Sequence, residues 1–161
     1  MALSNMLIST TLIIIAFAGG LALFSKAGDA PGLNNDQLTD CPSKPNCVCS
    51  ENDRSLEHYI APMPLLPEQQ QQAMPAVKAS IIALGGQIQD EQPHYLASTF
   101  SSKFLGFIDD LEIRIDTEQN QIHLRSSSRI GYSDFGVNRK RAASLKSTIQ
   151  HHLDTMTGKP E

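Results

Sequence analysis

Residues 107–129 read FIDDLEIRIDTEQNQIHLRSSSR, and this stretch decides the fold. Within Phe107–Asp116, Leu111, Ile113 and Ile115 recur at every second position, with Glu112 and Arg114 between them. A period of two belongs to a strand with one apolar and one polar face. Thr117, Glu118, Gln119 and Asn120 have turn composition. From Gln121 to Arg129 the alternation resumes, with Ile122 and Leu124 on one face and His123 and Arg125 on the other. Two such runs joined by a short polar turn predict an antiparallel hairpin.

The same logic extends upstream. Gln87–Asp90 reads as a short strand, and His94–Phe104 alternates around Leu96, Ser98 and Phe100. Before them the period changes. Val77, Ile81 and Leu84 share a helical face, Pro75 suits a first turn, and Gly85-Gly86 ends the run. An earlier start near Pro67, with a kink at Pro75, is the alternative. Downstream, 130–135 reads as a loop in which Ser133 or Asp134 caps a helix from about Gly136 to Leu153. That helix is expected to bury Val137, Leu145, Ile149 and Leu153. The order helix, four strands, helix predicts an α+β two-layer sandwich, an antiparallel four-stranded meander with two helices on one face.

The N-terminus has a different character. Met6–Phe24 contains no charged residue over nineteen positions, long enough for an apolar membrane helix. Ser25-Lys26-Ala27 also offers small residues where a signal peptidase would cut. Residues 1–27 are therefore expected to be a membrane anchor or signal segment and 28–40 a linker rich in Gly, Asn and Asp. Residues 41–161 would form the single α+β domain. This arrangement places the protein in the cell envelope, as a single-pass membrane protein or an exported, periplasmic one. The net charge of −4 offers no broad basic surface, so no nucleic-acid partner is expected. The expected partners are the membrane, through residues 6–24, and an anionic small molecule or an envelope protein.

All three cysteines fall in CPSKPNCVCS, residues 41–50. No CxxC redox motif is present. Zinc would need a fourth ligand, and His58 is the candidate, but the spacing matches no structural zinc pattern. A nucleophilic thiol would need a base and a lowered pKa. In an exported domain a Cys41–Cys47 disulfide is the leading reading, with Cys47 and Cys49 too close in sequence to pair. Cys49 would then be a buried free thiol or the partner of another chain.

The block Leu124–Arg141 carries the candidate ligand site. Arg125, Ser127 and Arg129 share a strand face, and Asn138, Arg139 and Arg141 lie in the first turns of the following helix. Arginines beside a helix start at Asp134 suit a phosphate or carboxylate. The competing reading is structural: Arg125 or Arg129 neutralises Asp109 and Asp110 on the neighbouring strand. A third reading, from a different class, is a hydrolase or transferase built from Asp109, Asp110, Arg125 and Arg129. Adjacent strand residues point to opposite faces, which weakens a paired-carboxylate site. The five histidines show no metal-ligand spacing, and no cofactor or metal is expected. Tyr132 and Phe135 read as core or staple residues.

CPSKPNCVCS, FLGFIDDLEIRID and IHLRSSSRIGYSDFGVNRKR together resemble the domain-of-unknown-function 1499 family, whose members occur in bacteria and plastids. The resemblance runs from Cys41 to Leu153. It implies no particular activity. Cys41 and Cys47 match the family's Cys-Pro-x-x-Pro-Asn-Cys-Val-Ser pattern, and Cys49 stands where that pattern has Ser.

Overall fold

The computed structural model describes residues 2–51, 57–103 and 105–158. Helix α1 spans Ala2–Ser25. Two-residue strands β1 (Leu33–Asn34) and β2 (Gln37–Leu38) form a hairpin. They are followed by β3 (Cys47–Cys49) and β4 (Met63–Pro64). A 3-10 turn at Pro67–Gln69 leads into α2 (Gln70–Ala83). Then come β5 (Gln87–Gln92), β6 (Tyr95–Ser101), β7 (Ile108–Asp116), β8 (Gln121–Ser128) and α3 (Val137–Met156).

The protein is α+β with an antiparallel sheet. β5 to β8 form the expected meander, with Leu111 opposite Ser126 and Ile113 opposite Leu124 across its central pair. Among the described residues the sheet has six strands rather than four. β3 and β4 both pair with the outer edge of β8, one beyond the other. Each is only two or three residues long, too short to show an alternation in sequence. α2 begins at Gln70, so Pro75 lies inside the helix and the earlier start applies. Part of 53–67, read as extended loop, lies outside the described residues (52–56).

One sheet face is apolar because β6, β7 and β8 alternate in phase. Leu96, Leu111, Ile113, Ile122 and Leu124 pack there against Ala73, Val77 and Ile81 of α2 and Leu145, Ile149 and Leu153 of α3. Burial of such side chains stabilises by about 1.5–3 kcal/mol each before entropy is counted. Gly86 follows α2 so closely that a Cβ there would lie 2.6 Å from the Phe100 ring and 2.7 Å from Ile81. Val137, expected in the core, is exposed because α3 turns its first residue away from the sheet.

The opposite face carries the polar positions, yet water does not cover it. Segment 28–40, read as a linker, lies across it: Leu38 packs with Cys49, Tyr95 and Ala97 in a second, smaller core. Beneath it Glu112 is 0% exposed and Arg125 is buried.

The uncharged run 6–24 is helical within α1, but among the described residues no helix is long and apolar enough to cross a membrane. Ser9, Thr10, Thr11 and the pair Gly19-Gly20 interrupt its apolar character. Its last turn is fixed to the sheet: Ile108 N–H donates to Ser25 Oγ (3.2 Å) and Arg129 Nη1 donates to the Ser25 carbonyl (3.1 Å).

Candidate functional site

Strand alternation divides the Leu124–Arg141 block between the two sheet faces. Arg125 and Arg129 lie on the face covered by segment 28–40. Ser126, Asn138 and Arg141 lie on the helix face. The six residues expected to share a ligand therefore do not meet at one point.

On the covered face, Arg125 Nη1 donates to Glu112 Oε2 (2.7 Å). The other Glu112 oxygen accepts from Tyr95 Oη (2.8 Å) and from Gly32 N–H (2.9 Å). Burial, then the Glu112 charge, drives the Tyr95 phenol far above its ordinary pKa. Arg129 forms a two-pronged pair with Asp110, its Nη2 lying 2.7 Å and its Nε 3.0 Å from the carboxylate. Those hydrogen bonds outweigh burial and raise the Arg129 pKa. The carboxylate partners of both arginines lie on the neighbouring strand, β7.

These residues border a cavity of ≈ 450 Å³ where α1 meets the sheet, lined by Ser25, Asp110, Arg125, Ser127, Ser128 and Arg129 among others. Arg125 is 95% buried, and its Nε has no hydrogen-bond partner among the described residues. An orphan buried donor of a charged group is costly, and here it belongs to a residue that lines the cavity.

On the helix face, Asp109 accepts from Arg141 Nη2 (2.7 Å). Arg141 also donates to Ser126 Oγ (3.1 Å) and Asn138 Oδ1, and its guanidinium sits 4.8 Å from the Phe100 ring centre. Asn138 is buried and donates to the Asn46 carbonyl (2.9 Å) and Ser128 Oγ (3.0 Å), tying α3 to the residue before β3 and to the end of β8. The N-cap of α3 is Gly136, without a side-chain cap bond; Asp134, two residues before it, accepts from Gly136 N–H (3.0 Å) and Asn138 N–H (2.6 Å). Arg139 reaches away to the carbonyls of Tyr59 and Glu57. Asp109, on this face, is absent from the cavity that Asp110, Arg125 and Arg129 line.

Sequence reasoning passed over a second polar cluster. Glu51 accepts from Leu38 N–H (2.8 Å) and holds Arg114 through Nε (3.0 Å) and Nη2. Arg114 also pairs with Asp116 (3.1 Å). Burial lowers the Arg114 pKa, but its Glu51 contacts outweigh this and raise it. Burial likewise opposes Asp116 ionisation, yet the Gln119 N–H and Arg114 prevail and its pKa falls. His123 Nδ1 faces Ser50 Oγ at 3.3 Å, and its Nε2 is buried without a partner among the described residues. Burial lowers its pKa, with Glu51 pulling the other way. The only sequence signal was polar alternation on β7 and β8; Glu51 lies 63 residues from Arg114.

Cys41 and Cys47 form a disulfide with an S–S distance of 2.02 Å, and Cys49 is a buried free thiol. Burial raises the Cys49 pKa to about 11, which disfavours the nucleophilic thiolate. His58, the candidate fourth zinc ligand, bonds through Nδ1 to the Cys47 carbonyl (3.0 Å). Tyr132 and Phe135 are 72% and 90% exposed and lie in neither core. The loop holding them includes Gly131 and Gly136, both at positive φ.

No curated protein matches the chain. The family model described as a protein of unknown function (DUF1499) matches residues 37–149, from β2 into α3, which includes Glu51, Tyr95, Glu112, Arg114, Arg125 and Arg129. The chain therefore belongs to the DUF1499 family.

Proposed function

We propose that this protein is a non-enzymatic binding module of the cell envelope, attached to a membrane through α1, which holds a small anionic group in the cavity between α1 and the sheet. One observation carries the reading: Arg125 lines that cavity beside Arg129, Ser127 and Ser128, and it is a buried guanidinium whose Nε lacks a hydrogen-bond partner among the described residues. Arg125 and Arg129 already have carboxylate partners, so their remaining N–H groups recognise a ligand by hydrogen-bond geometry rather than by net charge. A carboxylate or phosphate fits those donors. The disulfide favours an oxidising compartment. Membrane attachment rests on the uncharged run 6–24 and on the exposed Met6, Leu7, Leu12, Ile13 and Phe17 of α1.

The hydrolase or transferase alternative is less well supported, because Asp109 is engaged by Arg141 on the far face of the sheet from Asp110. Native mass spectrometry of chain extracted from its own membrane tests the binding reading. Wild type and Arg139→Ala should carry a small bound mass, because Arg139 lies away from the cavity, and Arg129→Ala should lose it. Bare polypeptide in the wild-type spectrum contradicts the reading.

A further inference from the structure

A second cavity, of ≈ 440 Å³, opens beside the first and is largely apolar. Leu21 of α1, Leu105, Phe107, Ile130, Phe135 and Val137 line it. Of its lining, Leu105, Phe135 and Val137 are exposed, and so are Phe24 and Tyr132, close to lining residues in the chain. Isolated exposed apolar residues are ordinary, but a contiguous set drawn from three segments marks an interaction surface.

The Phe135 loop is built to keep its ring outside. Phe135 has φ +54°, a conformation that side-chain-bearing residues seldom adopt. Its N–H donates to Ser133 Oγ (3.3 Å), and Asp134 holds the following Gly136 and Asn138 amides. In water such a display exposes apolar area with no compensating contact.

The position of the surface says what covers it. The last turn of α1 is bonded to Ile108 and Arg129, so the uncharged helix leaves the domain at this end. Leu21 of α1 lines this cavity together with the loops, and Phe24, one turn on, is exposed and lines the adjoining one. Lys26, Lys103 and Lys140 are exposed on the same three segments, where they can meet acidic head groups. Aromatic rings and lysines around a helix exit are the composition of a membrane interface.

We infer that Leu105, Tyr132, Phe135 and Val137 seat the domain in the interfacial layer of the bilayer, around the exit of α1. This rests on the membrane attachment proposed above and adds that the domain lies against the lipid rather than swinging free of it. The ligand cavity bounded by Ser25 and Arg129 then opens close to the membrane surface.

The chain contains no Trp, so single tryptophans report without background. Full-length Phe135→Trp, Tyr132→Trp, Phe17→Trp and Ile82→Trp chains would be placed in phosphatidylcholine–phosphatidylglycerol vesicles, with and without brominated phosphatidylcholine. Ile82 is exposed on α2 and serves as the distant position. The inference expects blue-shifted emission and loss of intensity to bromine at 135, 132 and 17, with neither at 82. Quenching at 17 alone overturns the interfacial seat and leaves attachment standing. Absence of quenching at all four positions overturns both. Equal quenching at all four means nonspecific adsorption and also overturns the seat. Phe135 and Tyr132 both point into solvent, so either reporter suffices if the other disturbs the loop.

Discussion

Glu112→Ala is the perturbation whose cost can be worked most directly from the structure. Glu112 is fully buried, and one carboxylate serves three donors: Arg125 Nη1, Tyr95 Oη and Gly32 N–H. Removing it leaves the Arg125 charge buried without its partner, a loss of about 3–5 kcal/mol. The stranded Tyr95 and Gly32 donors would each cost about 1–3 kcal/mol if they stayed dry, but relaxation of segment 28–40 lets water reach them. The costs overlap, and a net destabilisation of about 4 kcal/mol is expected. With a urea slope of about 2 kcal/mol/M, the unfolding midpoint should fall by about 2 M. Tyr95→Phe removes one bond to a charged group and should cost about 2 kcal/mol. In Glu112→Met/Arg125→Met no unpaired charge remains, so the double variant should recover about 3 kcal/mol relative to the sum of the singles. The assay is urea unfolding of the intact chain followed by circular dichroism, with amide exchange at Gly32 as a local readout. The reasoning is refuted if the two single losses add in the double variant to within about 0.5 kcal/mol, or if Gly32 stays as protected in Glu112→Ala as in wild type.

Other consequences follow from the same packing. Cys49, with its thiol pKa pushed up to about 11 by burial, should resist alkylation in the folded chain and react only after denaturation. Cys41 and Cys47 should react only after reduction, which should lower stability by about 2 kcal/mol because the closed loop is short. His123 is held neutral: its folded pKa lies below the ordinary value of about 6.5, mainly through burial, with Arg114 also lowering it and Glu51 and Asp116 opposing. The unfolded chain therefore takes up the proton first as pH falls, so this contribution is complete above about pH 6.5 and is lost below it. Stability measured from pH 7 to pH 4 should fall less steeply in His123→Gln than in wild type; identical slopes would contradict this assignment. Gly86→Ala should drive a methyl group into Phe100 and Ile81 and destabilise by about 1–3 kcal/mol in thermal unfolding.

The meander and its flanking helices were legible because Leu111, Ile113, Ile115, Ile122 and Leu124 follow one period without interruption. β3 and β4 were not, because two or three residues containing cysteine or proline carry no period. Segment 28–40 has the composition of a linker, and two of its ties to the sheet are backbone N–H groups, Gly32 to Glu112 and Leu38 to Glu51. Backbone donors leave no trace in composition. The unmatched charge of the sheet face was the available clue, since Glu112, Arg114, His123 and Arg125 on adjacent strands imply a cover or a solvated surface. The Arg129–Asp110 pair followed from strand adjacency. The separation of Arg125 and Arg129 from Asn138 and Arg141 followed from the period of two, but proximity in sequence obscured it. Phe135 shows the same limit: an aromatic near a helix start reads as a staple, whereas the ring is exposed on a loop where Phe135 and Gly136 both take positive φ.

Arg125 and Arg129 are proposed to hold an anion in the cavity that they both line. The most direct test follows the Arg125 and Arg129 Nε–H resonances of the ¹⁵N-labelled full-length chain while inorganic phosphate or acetate is titrated in. A saturable shift is expected at Arg125, with a smaller one at Arg129 and none at Arg129 in Arg125→Met. Resonances that do not move at any anion concentration compatible with the folded protein would contradict it.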